Sequence, residues 1–348
     1  MQNLLTRRKL AGALLAALVF VIASFAIAKA LLYAADPTRI EVAATPIASF
    51  DNRDPSRTRF GALEFIGGLA LTSRYQPFGG ISGLHIEPDG GKFIAVTDKG
   101  SWLRGRIVYK DGKPDGIAEP EMAPILGLDG KPLATRKWYD AESLTESGGY
   151  FYIGIERVNR IVRFDLRREG LGARGEEVAV PPDFKTFGNN KGLECLTSPP
   201  KGAPLAGRLI AIAEHSLDKD GNHRAYVLAG SAGGQHVARF SVKRIGDFDI
   251  SDCAILPPGD LLLLERSFSF AKGVGMRIRR VPLSTIVEGA VVDGAALIEA
   301  DLAYQIDNME GIAVHRNARG ETIFTLVSDD NFSPIQRNLL LQFRLVGE

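Results

Sequence analysis

Ile81-Ser82-Gly83-Leu84-His85-Ile86-Glu87-Pro88-Asp89-Gly90-Gly91-Lys92-Phe93-Ile94-Ala95-Val96-Thr97-Asp98 is the stretch on which the fold turns. It is a short apolar run, a turn marked by Pro and Gly, and a second apolar run ending in an acid, the pattern of a β-hairpin. The unit returns four times. Ala141-Glu142-Ser143-Leu144 leads to Tyr152-Ile153-Gly154-Ile155-Glu156, and Leu193-Glu194-Cys195-Leu196 to Leu209-Ile210-Ala211-Ile212-Ala213-Glu214. Ser251-Asp252-Cys253-Ala254 leads to Leu261-Leu262-Leu263-Leu264-Glu265, and Met309-Glu310-Gly311-Ile312 to Phe324-Thr325-Leu326-Val327-Ser328-Asp329. The period is roughly 57 residues, within the range of repeat architectures.

Another β-rich stretch follows each hairpin, for example Arg160-Ile161-Val162-Arg163-Phe164. Four strands per repeat at this period predict the blades of an all-β, single β-propeller rather than a sandwich. The fifth repeat stops at residues 339–345 without an outer strand, and residues 63–71 read as the strand that completes it. Such closure removes exposed sheet edges. Residues 36–60 could add strands, so the sequence leaves five and six blades open.

The propeller is expected to fill residues 36–348, behind a different kind of segment at 1–35. Residues 10–28 carry no charge and follow Arg7, Arg8 and Lys9, the arrangement of an export signal. The run is also just long enough to span a bilayer, so a retained inner-membrane tether is the alternative. Ala26, Ala28 and Ala30 offer cleavage sites, and Thr6-Arg7-Arg8-Lys9-Leu10 resembles a weak twin-arginine signal. Cations ahead of the run keep the N-terminus in the cytoplasm, so the body is expected outside it, periplasmic in a Gram-negative cell.

The formal charge of +1 changes once this segment is set aside. Its four cations leave 38 Lys and Arg against 41 Asp and Glu, a balance of −3. No basic stripe points to nucleic acid. No HExxH, CxxC or P-loop is present, and Gly79-Gly80-Ile81-Ser82-Gly83 is not the nucleophile elbow of an α/β-hydrolase. Asp218-Lys219-Asp220-Gly221-Asn222 resembles part of a calcium loop but reads better as a hairpin turn.

Acids recur at two places in the repeat. Ser82, Glu142, Glu194, Asp252 and Glu310 stand at the start of the first strand, and Asp98, Glu156, Glu214, Glu265 and Asp329 at the end of the second. In an antiparallel hairpin these two places are neighbours, so up to nine carboxylates are expected at one mouth of the channel. Crowded carboxylates repel unless a cation joins them, and calcium, with six to eight oxygen ligands, suits such a ring. The competing reading pairs the acids with Lys99, Arg157, Lys191, Arg266 and Arg316. It explains a recurring acid at two matched positions less well. His215, beside Glu214, is the histidine best placed to meet a substrate. Cys195 and Cys253 directly follow Glu194 and Asp252. Equivalent positions on neighbouring blades should splay beyond disulfide reach, so free, packed thiols are expected.

Phe78-Gly79-Gly80-Ile81-Ser82-Gly83-Leu84, Val96-Thr97-Asp98-Lys99-Gly100, Asp140-Ala141-Glu142-Ser143-Leu144, Glu156-Arg157, Asn308-Met309-Glu310-Gly311-Ile312 and Ser328-Asp329-Asp330-Asn331-Phe332, with Gln336-Arg337, resemble the phytase-like family, also described as having esterase-like activity of phytase. The resemblance spans residues 60–345. It implies a propeller that hydrolyses phosphoric or carboxylic esters with calcium. By role, Glu142, Glu156, Glu194, Glu214, Glu265 and Glu310 would hold metal, with Asp98 and Asp329 beside them. Lys99, Arg157, Lys191 and Arg266 would meet the substrate's phosphate; from their own place at the mouth, Glu214 and His215 are expected among the catalytic residues. Ser82 departs from the acidic pattern, and no dense Lys/Arg cluster suits inositol hexakisphosphate. The alternatives are a non-catalytic propeller that binds a ligand or partner around structural calcium, and a metal-dependent lactonase.

Overall fold

The computed structural model describes residues 36–188, 190–230 and 236–346. The expected signal or anchor lies outside these residues. Among them, no helix is long and apolar enough to cross a membrane.

The chain forms a five-bladed β-propeller. The first blade comprises Ile81–Ile86, Lys92–Thr97, Ser101–Lys110 and Lys113–Pro124, each antiparallel to the next. The second, third and fourth blades open with Ala141–Ser147, Leu193–Thr197 and Asp249–Leu256. The fifth contains Asn308–Arg316, Thr322–Asp329 and Asn338–Leu345. Its outer strand is Leu63–Thr72, paired antiparallel with Asn338–Leu345 through Leu69↔Leu340 and Leu71↔Asn338. The early segment closes the ring, as the sequence predicts, and Ala43–Ile47 adds one strand outside it. Residues 36–60 therefore extend existing sheets rather than build a sixth blade.

The alternating apolar positions of each blade pack against the next blade. Leu261, Leu262, Leu263 and Leu264 are all buried, because both faces of an interior blade are covered. Between the second blade and the first, Trp102 meets Phe164 edge-on with ring centres 5.1 Å apart. Each innermost strand touches the next around the axis, and the fifth touches the first.

All five inner hairpins carry a β-bulge near the start of the first strand. In the second blade Ala141 faces Ile155 and Ser143 faces Gly154, so Glu142 is the extra residue. The same reading makes Glu194, Ser251 and Glu310 the extra residues of the third, fourth and fifth blades. Ser82 lies within the first blade's bulge. A bulge next to a functional cleft commonly re-aims a side chain, and here it recurs around the ring.

This register corrects two sequence expectations. In the fourth blade Ile250 faces Glu265, so Ser251 and Arg266, not Asp252 and Glu265, match the acids of the other blades. A one-residue slip sends a side chain to the other face of a sheet. Cys253 is consequently one step beyond the equivalent of Cys195, and the two form a disulfide with Cα atoms 5.2 Å apart. The expected free thiols are joined, binding the inner strands of the third and fourth blades.

Candidate functional site

The starts of the inner hairpins open into a cavity of about 770 Å³. Asp98, Asp140, Glu142, Glu156, Glu194, Glu214, Glu310 and Asp329 line it together with Arg266. Glu142, Glu194 and Glu310 come from the bulges. Asp98, Glu156, Glu214 and Asp329 come from the ends of the second strands, where Arg266 takes the fourth blade's place. Ser82 and Ser251 fill the remaining bulge positions, and each hydroxyl donates to a carbonyl of the following blade, that of Ala141 and Met309 respectively.

Glu156, Glu194 and Glu214 each offer an oxygen within 4.8 Å of the others. Glu156 and Glu194 are buried, and the Glu214 side chain is 13% exposed. The Gly192 N–H donates to Glu156 Oε1 at 2.8 Å, and the Leu193 N–H to Asn159 Oδ1 at 3.2 Å. A Cβ at residue 192 would sit 2.0 Å from Asn159 Oδ1, so only glycine fits between them. Donors to Glu156 and Asn159 thus lock one corner of the triad.

Arg266 is the cation within the ring. Its guanidinium lies 3.0 Å from Glu214 Oε1, 3.1 Å from Glu310 Oε1 and 3.2 Å from Asn308 Oδ1. Asn308 Nδ2 donates to Glu310 Oε1 at 2.8 Å, while Glu310 Oε2 is buried without a hydrogen-bond partner. A buried, unsatisfied carboxylate oxygen is costly unless a cation or proton meets it.

Arg266 alone does not neutralise the carboxylates around it. Burial, followed by repulsion from Asp98, Glu310 and Glu156, holds Glu142 well above the usual carboxylate range. Burial and then Glu142 do the same to Glu194. Burial, with Asp329 adding, pushes Asp98 up to about 8. Burial raises Glu310 to about 8 against the pull of Arg266. Glu156 rises to about 7 and Asp329 to about 6, chiefly through burial. Burial alone would lower Arg266, yet Glu310 and Glu214 hold it above its ordinary value. At neutral pH such a ring retains protons or recruits a cation.

The structure brings together Glu142, Glu156, Glu194, Glu214, Glu310, Asp98, Asp329 and Arg266 from the sequence-predicted set. It does not bring Glu265 to the cavity. That carboxylate is fully buried inside the fourth blade, 2.7 Å from Arg277 and 2.6 Å from Arg279. Its expected metal role gives way to the salt-bridge reading, because the slip turns it away from the axis. Asp252, displaced likewise, accepts the Ile312 N–H at 2.8 Å.

Lys99, Arg157 and His215 are not among the cavity-lining residues. Lys99 lies over the Phe332 ring and Arg157 over Tyr139. His215 Nδ1 is 2.8 Å from Asp249 Oδ1, which also accepts from Arg244. Asp140 and Asp307 line the cavity without having been predicted. Asp140 had a signal: a polar residue two before the bulge recurs as Asp249 and Asn308.

A family model described as phytase-like, esterase-like activity of phytase, matches residues 76–332. No curated protein matches the chain. Solved structures resemble it distantly. A glutaminyl cyclase of Myxococcus xanthus is 13% identical with a TM-score of 0.40, covering 77% of this chain and 92% of its own. The WD40 repeats of RRP9 are 12% identical with a TM-score of 0.38, covering 84% and 87%.

Proposed function

Because this chain belongs to the phytase-like family, we propose that it hydrolyses an ester bond at the acidic mouth, with calcium held by Glu156, Glu194 and Glu214. The observation that carries this reading is the triad within a ring of carboxylates whose proton affinities are raised. Among the described residues the donors of this ring are oxygens, with no thiol or imidazole, which suits a hard cation. When bound, such an ion would polarise the ester oxygen and acidify a water.

The chain's own groups supply the rest. Once Arg266 and a bound cation hold the Glu310 carboxyl ionised, its Oε2, without a hydrogen-bond partner, is the group to take the proton of the attacking water. Arg266 and Asn308 hold Oε1 of the same carboxyl and so fix its direction. Asp98, buried and beside Asp329, holds a proton more tightly than an ordinary carboxyl and is the group to give one to the leaving oxygen. Water adds to the acyl or phosphoryl centre, the ester C–O or P–O bond breaks, and acid and alcohol leave.

The Cys195–Cys253 bridge favours work in an oxidising compartment, in keeping with export to the periplasm. Hydrolysis of p-nitrophenyl acetate and p-nitrophenyl phosphate, with calcium and with chelator, tests the activity. Calcium-dependent turnover of either, reduced about 10²-fold or more in Glu310→Gln, is expected. No turnover of either ester, or turnover indifferent to both chelator and Glu310→Gln, contradicts it.

A further inference from the structure

One side of the cavity is apolar. Phe268, Leu302 and Ile335 line it although they are 62%, 58% and 88% exposed. Phe270, fully exposed, meets the Phe268 ring edge-on at 5.5 Å. Scattered exposed hydrophobes are ordinary, but a contiguous group on the rim of a cavity marks a place where something docks. Here it adjoins the carboxylate ring, so the natural occupant is part of the molecule that enters the ring.

Part of the rim is an extension of the fourth blade's second strand; the third blade's also runs past its ring residue, to Leu217. In the first and second blades the second strand stops at Thr97 and Ile155. In the fourth blade it runs from Asp260 past Arg266 to Ser269, so the hairpin projects over the mouth. Its turn is anchored: Gly273 has φ +72, and a Cβ there would lie 2.2 Å from Leu302 Cδ1. Opposite charges for a polyanion are scarce. The cations lining the cavity are Arg266, engaged by Glu214 and Glu310, and Arg337, engaged by Asp307 and Gln305.

We propose that the substrate is an ester with a compact acyl, alkyl or aryl group, whose apolar part packs on Phe268, Leu302 and Ile335 while the ester faces the carboxylate ring. This inference rests on the hydrolase reading and narrows its substrate class. It disfavours a highly charged polyphosphate, because among the described residues both cations that line the cavity are already paired.

Titrating the full-length protein with N-alkylacetamides, ethyl to hexyl, reads the apolar contact without turnover and without a metal ion. Affinity should rise about two- to fourfold per methylene, as expected for apolar surface leaving water. In Phe268→Ser with Phe270→Ser, and separately in Ile335→Ser, the rise should flatten while the melting temperature stays near the parent's. Affinity indifferent to chain length, or rising equally in the variants, overturns the proposal. So does tighter binding of inositol hexakisphosphate than of the hexyl member by the calcium-loaded protein. Rim-dependent sedimentation with phosphatidylglycerol vesicles, without any chain-length dependence, would assign the rim to a membrane surface and overturn it too. If chain-length dependence holds but neither p-nitrophenyl ester is cleaved, the apolar site stands and the hydrolase reading alone falls.

Discussion

Glu194 and Glu265 are both buried glutamates near the ends of inner strands, yet their surroundings make opposite demands. Glu194 faces Glu142, Glu214 and Glu156, and its charge is opposed by all three. Glu265 is held between Arg277 and Arg279. Replacing Glu194 by Gln keeps shape and removes repulsion, so the calcium-free protein should be at least as stable as the parent at pH 8. Its calcium response should shrink. In the parent, binding to the folded state alone contributes about 2.7 kcal/mol at a hundredfold excess over Kd. Glu265→Gln should instead cost about 3–5 kcal/mol, because it strands buried guanidinium charge, and should leave the calcium-induced shift in place. Melting curves of the two variants with calcium and with chelator check both outcomes. If they behave alike, the division between ring and blade interior is wrong.

The bulge is the element on which the site depends, and it also limits what the sequence could reveal. Hairpins, turns and the closing strand 63–72 were legible because apolar alternation and Gly or Pro punctuation survive in the linear chain. The bulge residue was not, since an insertion of one residue leaves the apolar pattern on either side intact. In the fourth blade the acids Asp252 and Glu265 lie one step from the ring positions, and the true occupants, Ser251 and Arg266, break the acidic pattern. Aligning Ser251 with Ser82 would have given the right register. The same slip hid the disulfide, which needs Cys253 and Cys195 at unequal positions. That bridge closes a loop across 58 residues, joining the strands that carry Glu194 and Ser251. Replacing both cysteines by Ala should lower stability by about 2–4 kcal/mol, read in urea under oxidising conditions. Full stability in the double variant would show that the interblade packing alone fixes these strands.

Gathering carboxylates from four blades around one axis makes the propeller's stability depend on pH. Without a cation, Asp98 and Glu310 titrate near 8, Glu156 near 7 and Asp329 near 6, above the free-carboxyl value of about 4. Raised values mean that the folded state holds protons more tightly than the unfolded chain. Their contribution is therefore full below about pH 4 and is lost as pH climbs through 6 to 8. Melting temperature in chelator should fall between pH 6 and pH 8, and calcium, which favours the ionised ring, should remove most of that fall. A chelated protein equally stable at both values would contradict the sign. The mouth itself was legible from the recurring acids, whereas the apolar rim was not, because Phe268 lies on a strand extension past the ring position and Ile335 on the loop between Thr322–Asp329 and Asn338–Leu345. The most direct test of the ring as a metal centre is a crystal structure of the protein soaked in calcium at pH 8. The expected result is a cation bonded to Glu156, Glu194 and Glu214 at about 2.3–2.6 Å. Those three carboxylates bridged by protons or waters, with no cation at saturating calcium, would contradict it.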